Sequence, residues 1–308
     1  LLDLVLAVLA VELAILLARA AGLLARDRIK DARFGAIRLT FCLALPALVV
    51  LAGAWNNNRM KIREYAIEIP RRNSALEELT IVYASDFHLT RLTGDRLLER
   101  FVDRVNALRP DIVLLGGDIL EGHGVRDPGR FEAHFRRLRA KYGVFAAPGN
   151  HERPGSDPWG FFARSGVEYL EDRVVGIDGK FYLAGRRDGR RSRRMPVGEL
   201  LRQAPEDLPV ILLDHRPTDL ENVSRSRVDL QLSGHTHNGQ LFPVNLLVMP
   251  LHYELAWGIE KRRDTWFIVS SGLQAWGPPV KTAGDSEILR VRVAFRRAHG
   301  GIPGAPWP

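Results

Sequence analysis

The spacing of apolar and polar residues divides the chain near residue 56. Before that point, Leu1 to Ala25 is almost wholly apolar, interrupted by Asp3, Glu12 and Arg19. A charged connector (Arg26 to Arg38) follows, and Leu39 to Trp55 then runs without a charge. This second stretch is close to the lower limit for crossing a bilayer, and Trp55 beside three asparagines has the make-up of an interfacial end. Pro46 would kink such a helix, which membrane helices tolerate. Two spanning helices are expected; the alternative is an amphipathic hairpin on the membrane or against the soluble part. A removed signal peptide fits less well, because there are two apolar segments and neither ends in a small-residue cleavage pattern. Glu12 and Arg19 lie seven apart on one helix face, where an ion facing lipid is costly. They are expected to pair with each other or to face a partner helix.

From Met60 onward the pattern changes to short strands and amphipathic helices. Met60 to Ile69 alternates loosely as a first strand closed by Pro70, and Leu79 to Ser85 is a buried strand. Leu97, Leu98, Phe101, Val102, Val105 and Leu108 recur at helical spacing, and Pro110 stops that helix. Ile112 to Leu115 is the next strand; strand, helix, strand implies a right-handed crossover onto a parallel neighbour. A helix over Phe131 to Tyr142, strands at Val144 to Ala147, Phe181 to Ala184 and Val210 to Leu213, and a short apolar strand from Asp229 running into Gly234 continue the order. Trp266 to Ser271 and Ile288 to Phe295 are further strands, the last alternating like a half-buried edge.

Five strand ends carry potential metal ligands. They read Asp86-Phe87-His88, Gly116-Gly117-Asp118, Gly149-Asn150-His151-Glu152, Asp214-His215 and Gly234-His235-Thr236-His237. Open α/β sheets place their sites at such ends, and neutral imidazole is the commonest protein metal ligand. Residues i and i+2 of a strand point the same way, so His235 and His237 are expected to aim into one pocket. An isolated Asp after a strand is usually a cap or turn residue, but five such ends together argue for a metal site. The other histidines (His123, His134, His252, His299) fall in helix, loop or tail, with His123 and His252 as candidates to line a substrate pocket.

These motifs, in this order and spacing, resemble the calcineurin-like metallophosphoesterases over roughly residues 78 to 294. The phrase Leu232-Ser233-Gly234-His235-Thr236-His237-Asn238-Gly239-Gln240 is similar to the membrane-anchored, YkuE-like bacterial branch. That branch commonly has Gly-Gly-Gln where this chain has Asn238-Gly239-Gln240, and Glu152 stands where the family usually has Asp. The resemblance implies an α/β fold of two mixed β-sheets packed as a sandwich flanked by helices, with the helical anchor added at the amino end. It implies two divalent or mixed-valence metal ions. Asp86, His88 and His237 would hold the first; Asn150, His215 and His235 would hold the second; Asp118 would bridge. Two carboxylates against two cations leave the site positive, ready to attract a phosphate and to acidify a bridging water that attacks phosphorus. His151 would protonate the leaving group or stabilise the transition state, with Glu152 orienting its other nitrogen. The donor set of nitrogen and oxygen without sulfur suits Mn, Fe, Zn or Co.

Composition narrows the rest. A chain of 308 residues, 46% hydrophobic and 26% charged, has material for a large core. The single cysteine, Cys42, excludes a disulfide framework and a thiolate zinc cluster. No methionine opens the chain, which leaves its true start undefined. The divisions expected are a two-helix anchor (1–56), a linker with the first strand (57–77), the phosphoesterase domain (78–296) and a disordered tail (297–308). The net charge of +8 raises a nuclease, but many basic residues crowd the membrane helices and none interleave with aromatics, so no nucleic acid is expected. The run Arg186 to Arg194 is either a loop facing membrane or anionic substrate, or a solvated loop. Trp257, Trp266 and Trp276 are expected in the core rather than as a lip for an acyl chain. The favoured activity is hydrolysis of a phosphate ester or pyrophosphate bond in a phospholipid or lipid-linked nucleotide; the alternative is a tethered phosphodiesterase for soluble substrates. A non-catalytic scaffold predicts lost ligands, and all seven remain. Connector charges Arg26, Arg28, Lys30, Arg33 and Arg38 favour an extracytoplasmic catalytic domain, while Arg59, Lys61, Arg63, Arg71 and Arg72 argue back.

Overall fold

The computed structural model describes residues 2–24, 31–121, 128–152, 157–189, 194–204 and 207–296. At the amino end, α1 (Leu2–Ala20) and α2 (Ala32–Asn57) pack as a hairpin. α2 begins seven residues before the expected Leu39, because the Asp31 carboxylate accepts from the Arg33 N–H and caps it. Arg38 therefore sits in a helix, and it meets Glu12 in a two-pronged ion pair of 2.7 and 2.6 Å. Glu12 is thus paired across the hairpin and not with Arg19. Among the described residues, only α2 is long and apolar enough to cross a bilayer, and little of its apolar stretch is buried. The three charged positions of α1 separate it from the expected second span.

Two six-stranded mixed sheets follow. The first receives β1 (Lys61–Pro70), β2 (Glu78–Ala84), β3 (Ile112–Leu115), β4 (Val144–Ala146) and β5 (Glu168–Tyr169). β6 (Arg173–Ile177), β7 (Phe181–Gly185), β8 (Val210–Leu213), β9 (Leu230–Ser233), β10 (Gly258–Arg262) and β11 (Thr265–Val269) build the second. The last strand, β12 (Glu287–Arg296), returns to the first sheet. The orders are β1-β12-β2-β3-β4-β5 and β10-β11-β9-β8-β7-β6. Ile81, Tyr83, Leu114, Leu289 and Val291 of one sheet meet Leu183, Ile211, Leu213, Leu232 and Ile268 of the other in a shared core. β12 is an interior strand, parallel to β1 and antiparallel to β2, and not an edge. Its alternation reports faces instead: Leu289, Val291, Val293 and Phe295 point between the sheets, while Arg290 and Arg292 face outward to Glu64.

Helices cover the outer faces. On the first sheet, α3 (Asp95–Ala107) buries Leu98, Phe101, Val102 and Val105 with α4 (Gly129–Phe135) and α5 (Pro158–Arg164). α4 is shorter than the expected Phe131 to Tyr142. Beyond it, the Asn106 side chain donates to the Arg137 carbonyl and accepts from the Arg139 N–H, taking groups a continuing helix would need. On the second sheet, α6 (Val197–Leu200) and α7 (Leu220–Ser224) cover Ala184, Val210, Leu212 and Phe267. Two single turns, α8 (Val244–Leu247) and α9 (Met249–His252), stand off the sandwich. Within the first sheet β2, β3 and β4 are parallel, as are β7, β8 and β9 in the second. The register also places the first residue of β1 beside the first of β12, at the end where β2 finishes. The helical hairpin therefore joins the sandwich at the carboxyl ends of these strands.

Candidate metal centre

Every predicted site residue lies just past a strand of that edge: Asp86 and His88 after β2, Asp118 after β3, Asn150, His151 and Glu152 after β4, His215 after β8, His235 and His237 after β9. Strand alternation does not aim them. Asp86, His88, Asp118, His235 and His237 have φ of 57°, 45°, 52°, 71° and 49°, the left-handed region that non-glycine residues rarely occupy. Such strain persists only where the surroundings over-determine it, and it gathers here at the proposed ligands. The loops of the two sheets interlock closely. A Cβ on Gly117, itself at φ +90°, would lie 2.7 Å from the Gly149 nitrogen and 2.9 Å from His215 Nδ1. One on Gly234 would lie 2.3 Å from an Asp86 oxygen.

Three sets of ligand atoms each fall within 4.8 Å of one another: Asp86, His88 and His237; His88, Asp118 and His151; and Asp118, His215 and His235. The hydrogen bonds fix which nitrogen of the His88, His215 and His237 rings faces the centre. His215 Nδ1 bonds the Gly116 carbonyl at 2.7 Å, and His237 Nδ1 bonds the Gln274 carbonyl at 3.1 Å. A carbonyl only accepts, so both rings carry hydrogen on Nδ1, and a neutral ring then directs an Nε2 lone pair inward. His88 Nδ1 meets the Glu121 carboxylate at 3.0 Å, with the same consequence. His88 Nε2 and His237 Nε2 then face each other 3.1 Å apart. Two lone pairs at that distance repel unless a cation lies between them. Asn150 Oδ1 is buried with no hydrogen-bond partner among the described residues, a state that costs energy and that a metal would relieve. The residues therefore fit a two-metal group.

Electrostatics agree. Burial pushes His235 down to about 3, and His237 falls well below the ordinary imidazole value for the same reason. Both are thereby kept in the neutral, ligating form. His215 goes the other way. Burial works against its charge, but Asp118, 2.9 Å from Nε2, and Asp86 outweigh it and raise the ring to about 10. Negative potential is thus concentrated where a cation would sit.

Glu152 does not orient His151. Its carboxylate accepts four backbone N–H groups, from Asp118 (2.9 Å), Ile119 (2.6 Å), Leu120 (3.0 Å) and Gly149 (2.7 Å). It staples the loop after β3 to the loop after β4 and so positions Asp118. The partner of His151 Nδ1 is Glu121, at 2.7 Å, whose other oxygen holds His88. Despite burial, these two rings hold the Glu121 carboxyl down at about 2. The sequence gives Glu121 little prominence. Its signal is that the chain after β2 and β3 stays paired beyond both strands, through Leu89 N–H to Ile119 and Glu121 N–H to Leu89, which carries Glu121 alongside His88.

The remaining candidates separate. His88, Asp118, Asn150, His151, His235, His237 and Trp276 line a cleft of about 140 Å³. Trp276 is 57% exposed at its rim, contrary to the core position expected, while Trp257 and Trp266 are half-buried, Trp266 against the inter-sheet core. Arg186 and Arg194 of the basic run turn inward: Arg186 pairs with Asp214 and Asp219, and Arg194 with Asp214. His252 is exposed on α9 and His134 pairs with Asp95. His123, His299, residues 190–193 and the expected tail lie outside the described residues.

A profile of the calcineurin-like phosphoesterase family matches residues 79–239. An uncharacterized metallophosphoesterase of Helicobacter pylori is 33% identical over 243 residues, 76% of this chain and 64% of that one. A transmembrane protein with metallophosphoesterase domain from Danio rerio is 29% identical over 276 residues, 83% of this chain and 63% of that one. The UDP-2,3-diacylglucosamine pyrophosphatase LpxG of Chlamydia trachomatis is 33% identical over 118 residues, 37% of this chain and 35% of that one. The matched part thus spans 64% or less of these relatives' lengths. With the family profile matched over more than half of its length, the chain belongs to the calcineurin-like phosphoesterase family.

Proposed function

We propose that this chain is a membrane-anchored, dinuclear metal-dependent phosphoesterase that cleaves a phosphate ester or pyrophosphate bond in a lipid-associated substrate. The observation that carries the proposal is the facing pair of imidazole nitrogens, His88 and His237 Nε2 at 3.1 Å, beside a carboxylate, Asp118, shared with His215 and His235. Asp86, His88 and His237 would hold one cation; Asn150, His215 and His235 the other; Asp118 both. When bound, the pair supplies Lewis-acid stabilisation of phosphoryl oxygens and an acidified water as nucleophile. The neutral Asn150 amide would ligate without cancelling the positive charge that attracts phosphate. His151 is fixed by Glu121, and its Nε2 lies 4.0 Å from Asp118 at the cleft. Burial works against charge on this ring, but Glu121 and Asp118 raise its pKa, which favours the protonated form that would give a proton to the leaving oxygen. Manganese, iron and zinc are the metals that the donor set favours.

The substrate class rests on three supports. A cleft of about 140 Å³ is smaller than the roughly 300 Å³ at which drug-sized pockets begin, so it takes the phosphate and leaves the remainder on the rim. That rim carries exposed Trp276, and the apolar helix α2 is attached at the same end. The partial likeness to a diacylglucosamine pyrophosphatase points the same way. An extracytoplasmic domain is the orientation we favour: Lys61, Arg63 and Arg72 after α2 are paired with Asp285, Glu287 and Asp229 within the domain.

The test is the full chain in detergent with Mn²⁺, assayed on a chromogenic phosphodiester and on a panel of lipid phosphates, nucleotide-linked lipids, cyclic nucleotides and phosphomonoesters. Turnover, lost in Asp118→Asn, with the highest kcat/KM on a lipid-linked substrate is expected. Unchanged turnover in Asp118→Asn overturns the metal assignment, and preference for the soluble arms overturns the substrate class.

A further inference from the structure

Outside α1 and α2, eleven large hydrophobic side chains are exposed among the described residues, and six of them belong to two short segments. Phe242, Leu246, Leu247, Val248 and Leu251 lie between residues 241 and 253, and Trp276 lies in the loop that faces them. Residues 241–253 contain no Asp, Glu, Lys or Arg. The segment is anchored from within: Met249 is buried, and the Asn245 backbone packs so closely on Gly239 that a Cβ there would lie 2.7 Å away. Leu246, Leu247 and Leu251 are left 62%, 64% and 80% exposed. Contiguous apolar surface of this kind marks an interaction site.

The neighbourhood identifies the occupant. The last turns of α2 are bonded to residues 275–286: Lys281 N–H to the Gly53 carbonyl at 3.0 Å, Ala275 N–H to Asn57 Oδ1 at 2.8 Å, and Asn56 Nδ2 to the Gly284 carbonyl at 2.8 Å. The other side of the same stretch holds the apolar segment, through Ala283 N–H to the Gln240 carbonyl at 2.9 Å and Phe242 N–H to Thr282 Oγ1 at 2.9 Å. Gln240 and Trp276 bond each other twice, at 3.0 and 2.8 Å. Only the stretch 281–283 thus lies between Gln240 and Gly53, each bonded to it through the backbone. Gly53 is one helical turn, roughly 6 Å, from the end of α2. At that end Trp55 stacks under the Arg59 guanidinium at 4.6 Å, an aromatic and basic pairing suited to a lipid headgroup layer.

We infer that residues 241–253, together with Trp276, form an in-plane membrane-contact element. It inserts Phe242, Leu246, Leu247 and Leu251 into the headgroup and upper acyl region at the level of Trp55. An uncharged segment of this length is too short to span a bilayer and has the length of an interfacial one. Because Trp276 both borders the metal cleft and bonds Gln240, the element sets the cleft mouth against the lipid surface. A phosphate carried on a lipid then reaches the centre without leaving the bilayer. The inference rests on α2 being embedded, and the experiment separates the two.

The full chain, with Cys42 replaced by alanine, is reconstituted in phosphatidylcholine/phosphatidylglycerol vesicles whose acyl chains carry nitroxide quenchers. An environment-sensitive fluorophore is attached in turn at Leu247→Cys, Leu251→Cys, Leu48→Cys within α2, and Glu68→Cys. Glu68 is near the far end of β1, roughly 23 Å along the strand from Lys61. Quenching at positions 247, 251 and 48 but not 68 is expected. Quenching at 48 with 247 and 251 no more affected than 68 overturns the inference while α2 stays embedded. Blue-shifted yet unquenched emission at 247 and 251 overturns it in favour of a second copy or another segment of the chain as cover. Absence of quenching at 48 removes the embedded helix and the inference with it.

Discussion

At the scale of single residues, the centre is governed by what each imidazole does with its second nitrogen. His215 and His237 spend Nδ1 on backbone carbonyls, whereas His88 and His151 share one carboxylate, Glu121. That bridge couples a proposed ligand to the proposed acid. Glu121→Gln is expected to lower kcat roughly 10- to 100-fold with KM little changed, because outer carboxylates orient a ring and raise its basicity. Glu121→Asp should recover part of the rate; full activity in Glu121→Gln would show that His151 needs no orienting partner. Glu152 works on the backbone instead. Glu152→Gln turns an acceptor into a donor against N–H groups, and a drop of about 1–3 kcal/mol in unfolding free energy is expected, read from denaturant midpoints. The same variant should bind less metal, since Asp118 loses its support. Unaltered stability would mean that water replaces the lost acceptor.

At the scale of elements, the link between α2 and residues 275–286 is the least foreseeable feature. Asn57 is buried; its Oδ1 accepts the Ala275 N–H and its carbonyl accepts from Ser286 Oγ. The helix end is therefore part of the wall behind Trp276. Asn57→Ala leaves a buried N–H unpaired, and a loss of about 1–3 kcal/mol is expected. In the intact, detergent-solubilised chain that corresponds to several degrees of Tm. An unchanged Tm would show that the α2 end only rests on the loop. Strands with a short apolar run, as Ile112 to Leu115 has, were legible from sequence; the two-residue β5, β6 and the charged β10 (Gly258–Arg262) were not, because pairing with a neighbour and not their own pattern makes them strands. Boundaries were less legible: α2 starts early because the adjacent Asp31 caps it ahead of the uncharged run, and α4 stops early because Asn106, from another helix, takes its next backbone groups.

For the whole molecule, the proposed ligands come from both sheets: Asp86, His88, Asp118 and Asn150 from the first, His215, His235 and His237 from the second. Bound cations would therefore lock the sheets together as well as serve catalysis. A ligand held at a hundred times its Kd stabilises the folded state by about 2.7 kcal/mol. Chelation at neutral pH is expected to lower the Tm of the intact chain, with a much smaller change in Asp118→Asn. Equal shifts in both chains would place the stabilising metal elsewhere.

The sequence by itself determined the chemistry. The donor types, their order, the strands that precede them and the apolar stretch of α2 are all local properties of the chain, and local patterns survive being read one segment at a time. Tertiary structure decided whatever depends on two distant segments meeting: Glu121 rather than Glu152 at His151, Arg38 rather than Arg19 at Glu12, β12 inside its sheet and Trp276 at the rim. Periodicity records which face of an element is covered, but the identity of the covering group, and the edge an element occupies, follow from topology. The position of α2 beside the candidate metal cleft is of this second kind, because the pairing of β1 with β12, and of β12 with β2, brings the two to one end.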